Sequence, residues 1–193
     1  MSAARHFCFA VRADYEATRQ LRQRYPTDGP SMQQRGLLVA AVTQVGFQML
    51  IVVRLMRLVR DLAIPGGAQV VSRLIRHTYG AEIHWNAEIA PGVCIVHGNG
   101  LVISHGSRVG PNCVLFQNVT LGESMHPSNR TVGSPTLKAD VHVMPGAVVL
   151  GPVVIGSGTK IGSNAVVHSD VGPGSVVCSP VSAITVRRSA AAS

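Results

Sequence analysis

The sequence predicts a mainly β protein, a solenoid of stacked short strands behind an α-helical N-terminal region, and three observations support this. Between Glu82 and Glu123, aliphatic residues recur six apart, at Ile83, Ile89, Ile95 and Leu101, then at Val109, Leu115 and Leu121. The same spacing restarts at Leu137 and runs through Val143, Val149, Ile155, Ile161 and Val167. A small or β-branched residue follows four places after each of these, at Val141, Ala147, Val153, Thr159, Ala165 and Val171. Finally, charged residues make up 13% of the chain and aromatics 4%, a composition suited to a narrow, regular interior. A period of six is neither the 2 of a half-buried strand nor the 3.6 of an amphipathic helix. It fits units that stack and share one core. Each hexad is then a short strand plus a corner. Three hexads close a triangular coil of about 18 residues, and neighbouring coils pair at about 4.8 Å.

Taken in order, residues 1–80 are expected to be helical, residues 81–186 solenoid, and residues 187–193 a disordered tail. A short helix over about 13–24 precedes the turn signal Pro26-Thr27-Asp28-Gly29-Pro30. In the apolar stretch that follows, Leu38, Val42, Val45, Met49, Val52, Met56 and Val59 step by three and four, which predicts one amphipathic helix with Arg54, Arg57 and Arg60 on its polar face. That helix is expected to pack on the solenoid or on a partner subunit. The alternative is peripheral membrane contact through residues 36–60, since Thr43, Gln44 and Gln48 interrupt the run that a true span would need. Pro65-Gly66-Gly67 ends it, and a last short helix runs to Gly80.

Hexads begin at Ile83, Ile89, Ile95 and Leu101, and a two-residue slip precedes Val109. Residues 122–136 carry Gly, Pro, Ser and Asn without periodicity and are expected to leave the stack as a loop. The chain is long enough for one domain with an appendage. Its net charge of +8, gathered mostly before residue 80, favours anionic partners, but no nucleic-acid motif or set of stacking aromatics accompanies it. Cys8, Cys94, Cys113 and Cys178 show no metal or disulfide spacing, and the N-terminus lacks the apolar run of a signal peptide, so a cytoplasmic location is expected.

The segment His97-Gly98-Asn99-Gly100-Leu101-Val102-Ile103, followed by Gln117-Asn118-Val119-Thr120-Leu121-Gly122, resembles the active-site segment of serine acetyltransferases and their relatives in exopolysaccharide O-acetylation. These are hexapeptide-repeat acyltransferases. The resemblance is contiguous over about 82–123 and looser to about 175. It implies a left-handed parallel β-helix of hexapeptide repeats with an α-helical cap, acetyl-CoA as co-substrate, no metal, and a homotrimer or dimer of trimers. It also implies that His97 is the general base, drawing the proton from an acceptor hydroxyl that is too weak a nucleophile alone. The bland alternative for His97 is an exposed surface histidine. Glu82 stands where the family usually has Asp, fifteen residues earlier and nearly one coil away, and is expected to orient His97. His84 is assigned a secondary substrate-binding role.

Two departures concern the acceptor. Val96 replaces the Asp that usually precedes the catalytic His in serine acetyltransferases. Val132-Gly133-Ser134 before Pro135 replaces the family's Asp-Arg-His, whose Arg grips the serine carboxylate. Arg130 or His126 of the same loop is expected to substitute. Pro145, Gly146, Lys160, Gly162 and Ser163 match positions that line the family's CoA groove, while the family's terminal Gly-x-Pro-Ala turn is altered to Ser179-Pro180-Val181-Ser182. The acceptor class is thus a hydroxyl of L-serine, a saccharide or a specialised metabolite. Two other classes fit the same fold. One is a non-catalytic scaffold; the other is a γ-carbonic-anhydrase-like zinc enzyme using histidines among His84, His97, His105, His126, His142 and His168.

Overall fold

The computed structural model describes residues 2–24, 36–126, 128 and 130–180. The residues of the expected tail and of the Pro26–Pro30 turn lie outside these. From Glu82 onward the chain winds as a three-sided parallel β-helix. Its first face pairs Glu82–Ile83, Val102–Ile103, Thr120–Gly122, Val148–Leu150 and Val166–Val167 in that order. The second face pairs Glu88–Ile89, Arg108–Val109, Thr136–Leu137 and Val154–Ile155. The third pairs Cys94–Ile95, Val114–Leu115, His142–Val143, Lys160–Ile161 and Val176–Val177.

Every strand places its hexad aliphatic inward. Ile83, Ile103, Leu121 and Val149 of the first face, for example, are fully buried and stack in register. Two corners turn through one left-handed residue per coil, supplied by Gly or by Asn or Asp. Between the third and first faces these residues are Gly100, Asn118, Gly146 and Asn164. The alternation has a packing reason: a Cβ on Gly146 would meet the side-chain oxygen of Asn164 in the next coil.

Four helices precede the coils: α1 (Ala3–Arg24), α2 (Leu37–Thr43), α3 (Val45–Asp61) and α4 (Gly67–Tyr79). The first is longer than the helix expected over 13–24. The single apolar helix is corrected to two, α2 and α3, bent by 102° at Gln44, whose backbone is extended. The polar residues that interrupt the apolar run stabilise this break. Thr43 donates to Val39 O at 2.8 Å, and the Gln48 amide donates to Val42 O at 2.7 Å, a carbonyl left over at the end of α2. The inner face of α3 (Phe47, Met49, Leu50, Val53, Met56) is buried against the rest of the protein, while Leu38, Val39 and Val42 of α2 and Val45 at the start of α3 stay exposed. No single described helix is long and apolar enough to cross a membrane.

The helices solve an edge problem. Throughout the solenoid, N–H groups of one coil donate to carbonyls of the next, as in Glu82 N to Leu101 O at 2.8 Å and Ala90 N to Val109 O at 2.8 Å. Carbonyls of the first coil therefore have no coil beneath them, and an open edge of this kind must be covered. Ser72 of α4 donates to Ile83 O at 2.6 Å, and Arg60 of α3 donates to Trp85 O at 2.9 Å. Arg54 donates to Ile89 O at 2.6 Å and to Ala90 O at 2.8 Å. Arg54 is thus not on a polar face, as the periodicity suggested, but fully buried and bidentate with Asp14 of α1 at 2.7 and 2.9 Å. Asp14 also accepts the Gly92 N–H at 2.8 Å, so one ion pair binds α1, α3 and the first coil together.

Residues 122–136 leave the stack at the corner between the first and second faces. They are not irregular throughout: Ser124–Met125 pairs antiparallel with Val132–Gly133, forming a short ribbon.

Candidate active site

The corner between the third and first faces is where the hexad count slips. Leu115 and Leu121 are six apart, as are Val143 and Val149, but the residues that hold the equivalent positions below them, Ile95 and Ile103, are eight apart. The slip therefore falls before Ile103, not after Leu101, and Leu101 fills the buried corner. The two extra residues lie within Val96–Leu101, and His97 stands exposed in that widened turn.

Helix α3 backs this turn. A Cβ on Gly46 would fall on the carbonyl oxygen of Ile95, and a Cβ on Gly98 would meet the sulfur of Met49. Both glycines are required by close approach, and together they hold the backbone on either side of His97. The N–H groups of His97, Gly98 and Asn99 donate to no acceptor among the described residues, so the turn keeps unused donors.

The same corner collects most of the expected co-substrate residues. His97, Gln117, Pro145 and Ser163 each lie two places after the inward residue of a third-face strand, in four successive coils. Gly146 and Gly162 flank them, and Lys160 stands exposed on the third face just before the corner. At about 4.8 Å per coil, His97 and Ser163 are about 14 Å apart along the solenoid axis. Gln117, in the coil after His97, keeps a buried amide oxygen with no partner among the described residues. Its place in the motif was visible in the sequence; its register with His97 was not.

The expected acceptor groups are not gathered there. Glu82 begins the first face but makes an exposed ion pair with Arg76 of α4 at 3.6 Å, and no hydrogen bond or ion pair joins it to His97. His84 lies at the next corner, between the first and second faces. Its ring stacks on Trp85 with centroids 3.8 Å apart and meets His105 edge-on at 5.7 Å. Burial, then His105, holds its pKa below the usual histidine value against the pull of Glu82. His126 and Arg130 sit on the excluded ribbon that leaves from this second corner. The His126 ring nitrogen is 2.9 Å from the Ser128 hydroxyl, and Arg130 is exposed with φ of 57°. Within one protomer these three residues face the far edge of the first face from His97.

That second corner also holds a pair that sequence reasoning missed: His105 Nδ1 lies 2.7 Å from a Glu123 carboxylate oxygen. Ser104 beside it shares hydroxyl hydrogen bonds with Ser107 and Ser134, each at 2.9 Å. Neither residue recurs at a fixed spacing, so only the coil geometry brings them together. Among the described residues no group of three or more His, Cys, Asp or Glu side chains is placed to hold a metal ion.

This architecture defines a class, the left-handed parallel β-helix of hexapeptide repeats, and residues 134–169 match the family model described as bacterial transferase hexapeptide (six repeats). The particular likeness is to serine acetyltransferases. The chain is 38% identical over 126 residues to that of Synechococcus elongatus, covering 65% of this chain and 51% of the relative. It is 41% identical over 108 residues to that of Helicobacter pylori, covering 56% and 62%. A crystal structure of the Neisseria gonorrhoeae serine acetyltransferase superposes with a TM-score of 0.76 at 26% identity, covering 91% of this chain and 66% of that one. The chain thus spans only about half to two thirds of the proteins it matches, and along its solenoid it is serine acetyltransferase-like.

Proposed function

We propose that the chain is a CoA-dependent O-acetyltransferase that transfers an acetyl group to the hydroxyl of a small acceptor. L-serine is the acceptor named by its relatives. The observation that carries this reading is the single corner column that places His97, in a widened turn with free N–H donors, in register with Pro145–Gly146 and Gly162–Ser163. An extended, polyanionic thioester lying along that column would reach His97 with its acyl end. His97 takes the proton as the acceptor oxygen attacks the thioester carbonyl. The free N–H groups of the turn hold the oxyanion, and the intermediate collapses with the CoA thiolate recovering the proton from His97. Glu82 orients the imidazole by exchanging its pair with Arg76, an exposed ion pair of little worth.

The reading includes a homotrimer in the cytoplasm, in which Arg130 and His126 of a neighbouring ribbon serve the acceptor. Support for this comes from the corners that the groups occupy: His97 lies between the third and first faces, and the ribbon leaves between the first and second. The test is thiol release from acetyl-CoA against L-serine and a panel of sugar hydroxyls. The His97→Ala variant is expected to lose about 10²–10⁴-fold in turnover, the usual share of a general base. Near-wild-type transfer by a folded His97→Ala protein would overturn the mechanism.

A further inference from the structure

The α3–α4 connection exposes an apolar tip that no described residue covers. Leu62 is 57% and Ile64 49% exposed in the turn, with Ala63 and Pro65 also exposed between and after them. On the outer face of α4, Val70 is 64% and Leu74 52% exposed, four residues apart and so on one stripe. This surface is separate from the stretch expected from the sequence, residues 36–60, where the inner face of α3 is buried but Leu38, Val39, Val42 and Val45 are also exposed. It is a hairpin end on which Arg73 stands exposed beside Leu74, while Arg76 one turn further along α4 pairs with Glu82, Arg60 at the end of α3 bonds Trp85 O, and Asp61 next to Leu62 lies 3.9 Å from Arg57.

The charge distribution says what covers it. Residues 1–80 hold eleven arginines against Asp14, Glu16, Asp28 and Asp61, so this region carries +7 of the net +8 and the solenoid is nearly neutral. A second copy docking through this face in a two-fold contact would bring Arg73 and its neighbours against themselves. An anionic surface meets no such repulsion. We propose that the α3–α4 tip is a peripheral membrane-docking surface, with Leu62, Ile64, Val70 and Leu74 entering the interfacial region of an anionic bilayer and Arg73 contacting the lipid headgroups. The chain lies on the bilayer and does not span it, in keeping with helices too short or too polar to cross. The inference stands independently of the acetyltransfer reading.

The experiment is co-sedimentation of the full chain with phosphatidylcholine vesicles, with and without phosphatidylglycerol. The wild type is expected to partition onto the anionic vesicles and to be released by salt, because headgroup attraction falls off over about 8 Å at physiological ionic strength. The Leu62→Ser/Ile64→Ser variant removes only exposed side chains, so its circular dichroism should match wild type while its partitioning drops at least about 10-fold. Arg73→Gln should drop it about 5-fold, one headgroup contact's worth. Equal binding to neutral and anionic vesicles, or variants that bind as wild type does, would overturn the proposal. So would a wild type that ignores vesicles but forms an oligomer that Leu62→Ser/Ile64→Ser dissociates, since the face would then be a contact between copies.

Discussion

Replacing Arg54 by Met should detach the helical cap, and the size of the effect follows from the bonds it makes. The guanidinium donates twice to Asp14 and once each to Ile89 O and Ala90 O, all at 2.6–2.9 Å and all buried. Without it, Asp14 keeps the Gly92 N–H at 2.8 Å but remains a buried carboxylate without a counter-charge. Removing one partner of such a pair costs about 3–5 kcal/mol, a large part of a typical total of about 5–15. Asp14→Leu, which strands the guanidinium instead, should cost a similar amount. The double variant removes both charges and leaves only the first-coil carbonyls and one N–H unpaired, so its cost should fall well below the sum, with a coupling of at least about 2 kcal/mol. Urea unfolding followed by fluorescence is a direct assay, because the only tryptophan, Trp85, sits at the junction where Arg60 bonds its carbonyl. With slopes of about 2–3 kcal/mol per molar, each single variant should lower the midpoint by about 1–2 M. Singles within about 0.5 kcal/mol of wild type, or a double equal to their sum, would refute the view that this pair fastens the cap.

Two other outcomes are expected. In Gly46→Ala the new Cβ would fall on the Ile95 carbonyl oxygen, with the carbonyl carbon 2.8 Å away, so α3 or the strand before His97 must move. On the proposed mechanism, a displacement of about 1 Å beside His97 should lower kcat by about 10²-fold, whereas Gly36→Ala, with nothing within 4 Å, should leave kcat unchanged. For the thiols, burial pushes Cys94 and Cys113 up to about 11, so at pH 8 only about a thousandth of each is thiolate. Titration of native protein with a thiol-reactive disulfide should therefore label exposed Cys8 and Cys178 quickly, and all four thiols only after denaturation.

The solenoid was legible because its aliphatic residues face a shared interior and must recur with the coil: thirteen hexad starts were named from the sequence, and all are buried. The exact coil phase was not, because both Leu101 and Ile103 are buried aliphatics and only the strand register tells a corner residue from a strand residue. The bend at Gln44 was hidden for a related reason. The periodicity of α2 and α3 is nearly continuous, and the break is set by side-chain bonds to backbone and by where α3 must dock. Arg54 misled because an arginine in a run of three reads as a solvated face. What buries it is the row of unpaired carbonyls on the first coil, a requirement that exists only once the coils are stacked.

The two departures from the hexad count lie on the two edges of one face. Elsewhere the repeat is regular: inward residues are packed, and two of the three corners turn through a single left-handed residue per coil. Only the turn carrying His97, with two extra residues, and the corner that sends out residues 122–136 break that regularity, and the first face lies between them. The free N–H groups and the helix-backed backbone belong to the first edge. The His105–Glu123 pair and the serine hydroxyls belong to the second. The proposed trimer would set the first edge of one protomer beside the second edge of its neighbour, and the mass of the full chain in solution tests that arrangement.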